Sequence, residues 1–147
     1  MRNFLVAAAA AFLMSGALTA GEKSLMHCFA YTAIEGATQA DWDAFYKASD
    51  ALPKKMPMVK RVWYGKLRGP LAIFQVDAAA SKKLRAGEKN VDAKANFVSR
   101  QQGMCIEFEG APEVLKTYVA HPFHAEWSAA YEKVRVAGTT TYDILGQ

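Results

Sequence analysis

Apolar residues in this chain fall into short continuous runs and into longer stretches with helical spacing. Residues 25–31 form a compact apolar and aromatic run that is typical of a buried strand. A second run at residues 58–65 is rich in β-forming residues, and residues 97–108 and 139–145 have the pattern of two further strands. A shorter run at residues 71–76 predicts one additional strand. The pattern therefore predicts a sheet of four main strands.

One helix is predicted between the first two strands. Thr38-Gln39-Ala40-Asp41 resembles a capping box, in which side chains satisfy the first backbone N–H groups of a helix. Aromatic and aliphatic residues then recur at helical spacing as far as Leu52. Because proline lacks an N–H and clashes with the preceding turn, we expect this helix to end at Pro53. We interpret its aromatic stripe as core rather than as a cofactor site.

Residues 118–124, Tyr-Val-Ala-His-Pro-Phe-His, hold two of the three histidines of the chain. Pro122 disfavours helical backbone for the residue before it and suits the first position of a helix. A helix that begins around Pro112 should therefore end near His121, and another should begin at Pro122. This break holds two imidazoles and the phenol of Tyr118 close together at a fixed joint.

The predicted order of elements is strand, helix, strand, insertion, strand, helical region with the proline break, strand. This is the split-βαβ, ferredoxin-like βαββαβ arrangement, an α+β fold with an antiparallel sheet and its helices on one face. A polar insertion at about residues 69–96 separates the second and third core strands and is expected to hold a short helix and a loop. Residues 22–147 are long enough for one domain with one core.

The first 21 residues have the pattern of a secretory signal peptide. A short basic start precedes an apolar run from Phe4 to Met14, which is too short to span a bilayer. Small residues follow, so we expect cleavage at about residues 17–21. An uncleaved membrane anchor is the alternative. The prediction is an exported protein, periplasmic or extracellular, without stable membrane insertion after cleavage.

Export changes the interpretation of the two cysteines, Cys28 and Cys105. Both lie in strand-like runs, and an oxidising compartment permits a disulfide between them. The alternative is two buried thiols that act as small apolar side chains.

The net charge of +4 is modest. Most of it comes from residues 77–102, where six lysines and arginines stand against three acidic residues. A nucleic-acid-binding domain usually carries a denser basic stripe interleaved with exposed aromatic residues. We therefore predict no nucleic-acid partner.

Several segments together resemble the stress-responsive A/B barrel domain family, also called the Dabb or dimeric α/β barrel family. They are the strand with His27, the helix of residues 38–52, Val62-Trp63-Tyr64-Gly65-Lys66 and the Y-x-x-H-P-x-H motif of residues 118–124. The resemblance covers about residues 24–65 and 102–145. It implies a homodimer whose two sheets pack face to face into a barrel, with helices outside, a small-molecule pocket in each subunit and no cofactor.

The resemblance also assigns candidate site residues. It implies that His27, Tyr118 and His124 line the pocket as catalytic candidates, that Phe29 and Tyr31 add apolar wall, and that His121 is a structural partner at the joint. In a plant polyketide cyclase of this family, the residue matching His124 is the general base. The residue matching Tyr118 positions and polarises the substrate carbonyl.

Several functions remain open at this stage. The pocket can bind a small, largely apolar molecule without chemistry, or the chain can be a cofactor-independent lyase or cyclase that uses His124 as base and Tyr118 as donor. A metal site built from His27, His121 and His124 is a further alternative. The proline break counts against it, so no metal ligand is assigned. No residue points to the haem-degrading or monooxygenase relatives of the same barrel class.

Overall fold

A computed structural model describes residues 24–110 and 112–146, so the predicted signal peptide lies outside the described residues. The elements are β1 (Ser24–Tyr31), α1 (Gln39–Lys55), β2 (Val59–Val76), α2 (Ala78–Arg85), β3 (Ala95–Glu109), α3 (Val114–Ala120), α4 (Pro122–Glu132) and β4 (Thr140–Leu145). Within these residues, no helix is both long and apolar enough to cross a membrane.

The four strands form one sheet in the order β2-β3-β1-β4, and each neighbouring pair is antiparallel. β1 and β2 are therefore parallel to each other with β3 between them, which is the split-βαβ unit. The predicted α+β, ferredoxin-like fold is confirmed.

The hydrophobic core lies between one face of this sheet and helices α1 and α4. Side chains alternate between the two faces along a strand, so Leu25, Phe29 and Tyr31 of β1 enter the core together. Phe45 of α1 and Tyr131 of α4 meet them from the helix side. Tyr31 is fully buried, with its ring 4.9 Å from that of Tyr131.

Helix α1 begins as predicted and ends later than predicted. The Thr38 hydroxyl accepts from the Asp41 N–H, and the Asp41 carboxylate accepts from the Thr38 N–H, so the capping box is confirmed. The predicted end at Pro53 is wrong, because the helix continues to Lys55 and the Met56 N–H still donates to the Leu52 carbonyl at 2.9 Å. Near the end of a helix, a proline removes a single N–H, and the following turn can still close.

The insertion at residues 69–96 begins and ends as an extension of the sheet. β2 and β3 continue to pair beyond a shift in register between Lys66 and Leu71, as far as Val76 opposite Ala95. Helix α2 caps this hairpin, and the Asp77 carboxylate accepts from the Ala80 N–H at its start. The predicted short helix and the predicted loop, at residues 86–94, are both present. The predicted strand at residues 71–76 is the end of β2, which forms a two-stranded arm with β3.

Candidate functional site

The joint between α3 and α4 forms where the sequence predicts it. His121 has extended backbone, with φ −71° and ψ 134°, and Pro122 opens α4. The His121 ring nitrogen Nδ1 accepts from the Phe123 N–H at 3.2 Å, so this histidine caps the second helix. The break turns the last residues of α3 and the first of α4 toward each other, and the rings of Tyr118 and His124 lie 4.6 Å apart, edge to face.

A cavity of about 230 Å³ lies between this joint and the sheet. It is lined by the predicted residues His27, Phe29, Tyr118 and His124, together with Leu115, Val119, Trp127, Ser128, Tyr131, Arg135, Thr139 and Thr141. The fold therefore brings the histidine of the first strand to the phenol and imidazole of the joint. No residue of the 69–96 insertion lines it.

Asp143 is a partner of His27 that sequence reasoning missed. Its carboxylate oxygen Oδ1 lies 2.6 Å from His27 Nδ1, because the two residues are directly opposite in the pairing of β1 with β4. A carboxylate only accepts hydrogen bonds, so Nδ1 carries the proton and Nε2 is left for other contacts. The alternation of β4 places Asp143 on one face with Thr141. His27 and Asp143 are 116 positions apart in sequence, so only the register between β1 and β4 identifies them as partners.

Burial changes the proton affinity of both groups at the joint. The Tyr118 hydroxyl is buried and has no hydrogen-bond partner among the described residues, and burial raises its pKa well above the usual range. Burial lowers the pKa of His124 below 6.5, and the charge of His27 lowers it further. The site therefore pairs a phenol that keeps its proton with an imidazole that stays neutral at neutral pH.

Arg135 also lines the cavity and was not anticipated from the sequence. Its guanidinium carbon lies 4.8 Å from the centre of the Tyr131 ring, in a cation–π contact. Burial raises the pKa of the Tyr131 hydroxyl, while the charges of Arg135 and Arg100 oppose that rise. Because Arg135 follows the end of α4, no pattern of apolar positions marks its side chain as turned inward.

Two of the predicted positions lie outside the cavity lining. Tyr31 does not form its apolar wall, because its ring packs against Phe45 and Tyr131 in the core. His121 is a helix cap, as its assigned structural role requires. Among residues 24–110 and 112–146, no group of three or more His, Cys, Asp or Glu side chains is arranged to hold a metal ion. The hypothesis of a metal site at His27, His121 and His124 is therefore wrong for the described chain.

The opposite face of the sheet carries the cysteines. Cys28 and Cys105 are directly opposed in β1 and β3, with Cα atoms 4.1 Å apart, and their sulfurs are bonded. Cys28 neighbours His27 in the strand and so points away from the cavity. A wider depression of about 460 Å³ on this side is lined by Trp63, Cys105 and Tyr142 among others. It holds no histidine.

Fold and site together define a ferredoxin-like protein with a His/Tyr-lined cavity. No protein-family model matches the sequence, and no curated protein matches it. Solved structures are similar in fold. A hydroxynitrile lyase from Passiflora edulis has a TM-score of 0.55 and 13% identity, with 84% of this chain and 94% of that chain covered.

Two further similar structures carry less specific descriptions. A dimeric ferredoxin-like protein of unknown function from Thermobifida fusca has a TM-score of 0.53 and 12% identity, covering 84% of this chain and 92% of that one. A Dabb family protein with a ferredoxin-like fold from Mesorhizobium loti has a TM-score of 0.51 and 10% identity, covering 84% and 96%. At these identities the likeness establishes the fold.

Proposed function

We propose that this chain is an exported, homodimeric protein of the Dabb type that binds a small, largely apolar molecule in the cavity at the α3–α4 joint. The observation that carries the proposal is the lining of the cavity. Phe29 and Trp127 supply aromatic wall, while His27, Tyr118 and His124 supply a few polar groups at fixed positions. Small-molecule sites have this composition.

Export and dimerisation have separate support. The Cys28–Cys105 disulfide suits an oxidising compartment, which the predicted signal peptide leads to. The sheet face opposite the helices exposes Trp63, Tyr142 and Ile144, each by 45% or more. A second sheet packed on this face would bury them, as the resemblance to the dimeric barrel family implies.

Acetophenone tests the binding function, since it is small, apolar and carries one carbonyl. We expect it to shift the His27 and His124 ring resonances in an NMR titration. Ser128→Leu puts a larger side chain into the cavity and should weaken binding at least about tenfold by steric exclusion. Ser81→Leu adds the same side chain on α2, outside the cavity, and should change nothing. Ring resonances that do not respond to acetophenone would contradict the proposal.

A cofactor-independent lyase or cyclase is the second candidate. It is favoured by the contact between Tyr118, whose buried hydroxyl has no partner in the described chain, and a His124 with a lowered pKa. The motif of residues 118–124 also resembles that of olivetolic acid cyclase. In this reaction the neutral His124 imidazole removes a proton from the carbon next to a carbonyl. The Tyr118 O–H then donates to the oxygen of the enolate, and the imidazolium later returns a proton.

Proton exchange detects this chemistry without the natural substrate. In D₂O, the wild type should accelerate the replacement of the methyl protons of acetophenone by deuterium, followed by NMR. His124→Ala should reduce the enzymic rate by about 10² to 10⁴-fold, the usual contribution of a positioned base. Tyr118→Phe should reduce it about 10²-fold, because one donor to the enolate is lost. Binding without any acceleration in the wild type would leave the binding function and exclude this enzymic one.

A further inference from the structure

The pairing of β1 separates two chemically different ends of the cavity. His27 is opposite Asp143, and Phe29 is opposite Thr141. Ala33, six residues beyond His27, forms an isolated bridge with Arg135. Ala33 lies two residues beyond the end of β1, so Arg135 approaches the cavity from that end of the strand. The Arg135 side chain lines the cavity, and its guanidinium lies over the Tyr131 ring.

The Arg135 guanidinium has hydrogen-bonding capacity that the described chain does not use. Its Nε is buried and has no hydrogen-bond partner among residues 24–110 and 112–146. Its ion pair with Glu132 is long, at 3.7 Å, and the glutamate side chain is 66% exposed. Exposed pairs of this kind compensate little of the cost of removing a cation from water.

A second guanidinium increases the positive charge at the same end. Arg100 is only 3% exposed, and its NH1 donates to the Thr32 hydroxyl at 3.2 Å. Within the described residues, its Nε has no hydrogen-bond partner and its side chain forms no ion pair. Both arginines act electrostatically on Tyr131, which lines the cavity. Arg100 does not line the cavity, whereas Arg135 reaches it with only the long ion pair to Glu132. A partly buried cation with so little compensation favours an anionic ligand at this end of the cavity.

We propose that the cavity binds a small organic carboxylate, with its carboxylate held by Arg135 and its apolar body against Phe29 and Trp127. The proposal rests on the proposed function and adds the chemical class of the ligand. The planar guanidinium matches a carboxylate through two parallel hydrogen bonds. Because Arg135 is the one of these two guanidinium groups that lines the cavity, the site suits a monoanion. The opposite end of the ligand then lies toward His27, Tyr118 and His124.

Phenylacetate and phenylacetamide test the proposal, because they share a shape and differ in charge. Titrations follow the ring resonances of His27 and His124 and the Nε–H resonance of Arg135. We expect phenylacetate to bind at least about tenfold more tightly than phenylacetamide, because a charge-assisted hydrogen bond typically contributes a factor of this size to affinity. The Arg135 Nε–H should shift with phenylacetate alone.

Variants of Arg135 test whether this residue causes the preference for phenylacetate over phenylacetamide. Arg135→Met should reduce the affinity for phenylacetate to that for phenylacetamide, and Arg135→Lys should keep part of the difference. Arg85→Met removes an equal charge from an exposed position on α2 and should have no effect. Unchanged binding of phenylacetamide to Arg135→Met shows that the cavity of this variant is intact.

Two results separate the failure of this proposal from that of the proposed function. If both compounds shift the histidine resonances with equal affinity, or if the preference survives Arg135→Met, the carboxylate site is overturned and the binding cavity stands. If neither compound nor acetophenone shifts the histidine resonances, both are overturned.

Discussion

The short contact between His27 and Asp143 determines which nitrogen of this ring is available to a ligand. At 2.6 Å, the carboxylate holds the proton on Nδ1, and both side chains are only partly exposed. Nε2 is then the nitrogen that can accept a hydrogen bond. One acidic residue on the last strand thus fixes the chemistry of a histidine on the first.

Asp143→Asn tests this dependence with little change in size. Because an amide can donate as well as accept, the neutral His27 ring should populate both tautomers in the variant, which ¹⁵N NMR of the ring nitrogens measures. The free energy of unfolding should fall by about 1 kcal/mol, as expected for a partly exposed pair. Asp92→Asn, at an exposed loop position, is the control. An unaltered tautomer of His27 in Asp143→Asn would contradict the interpretation.

The titration of His124 gives a second prediction for a single residue. Its pKa should lie below 6.5, mainly because of burial, and His27→Gln should raise it part of the way by removing the smaller, electrostatic cause. The NMR shift of the ring protons against pH measures both values. A pKa of 6.5 or more in the wild type would refute the stated cause.

The same shift links His124 to stability. The unfolded chain takes up this proton at about pH 6.5, and the folded protein takes it up only at lower pH. The contribution of His124 is therefore complete above pH 6.5 and declines as the pH falls through the lowered pKa. His124→Gln should remove this part of the pH dependence of urea unfolding.

Among the elements, β1 contributes both to the cavity and to the disulfide. Its core-facing side chains include His27 and Phe29 of the cavity, and Cys28 on its other face is bonded to β3. At the joint between α3 and α4, the Tyr118 ring packs against that of Phe108 of β3, with ring centres 4.9 Å apart. Displacement of β1 relative to β3 would therefore change the distance between His27 and the joint.

Removal of the disulfide should weaken the link between β1 and β3. The bond joins cysteines 77 positions apart in sequence, so it restricts the unfolded chain strongly. The double variant Cys28→Ser/Cys105→Ser should lose about 2–4 kcal/mol of unfolding free energy in urea titrations. The wild type should lose a similar amount on addition of a reductant, whereas the double variant should not respond. A wild type that is equally stable with and without reductant would argue against the bond.

At the scale of the whole molecule, the two faces of the sheet differ in what covers them. Helices α1 and α4 cover the core face, whereas the face with Trp63, Tyr142 and Ile144 has no helix in the described chain. Exposed apolar patches on a soluble domain commonly mark interfaces. This asymmetry is what a face-to-face pair of sheets requires.

The proposed dimer makes a prediction about Ile144, which is 54% exposed in one subunit. Ile144→Lys should raise the dissociation constant at least about 100-fold, because two-fold symmetry buries two unpaired ammonium groups. Light scattering after gel filtration measures the oligomeric state. Leu84→Lys introduces a lysine at an exposed position of α2, outside the sheet, and should leave the dimer intact. A monomeric wild type would refute the dimer.

The sequence by itself determined the elements and the chemistry that they carry. Alternation and helical spacing are local, so they located the main strands and the start of α1 at Thr38. The conformational limits of Pro122 likewise located the joint that presents Tyr118 and His124. The run at residues 71–76 was predicted as a strand, but no local pattern identifies residues 95–100 as its partner. The continuation of β2 and β3 beyond Lys66 as a paired arm of the sheet therefore could not be predicted from composition.

Only the tertiary structure decided which side chains meet. Asp143 reaches His27 because of the register between β4 and β1, which no local pattern contains. Arg135 lines the cavity because its side chain returns over the Tyr131 ring, and Pro53 remains helical because the following turn still closes. Tyr31 shares a strand face with Phe29, yet packing against α1 and α4 places it in the core. Residue type and short-range spacing can be read directly from the sequence, whereas register and packing arise from contacts between distant segments.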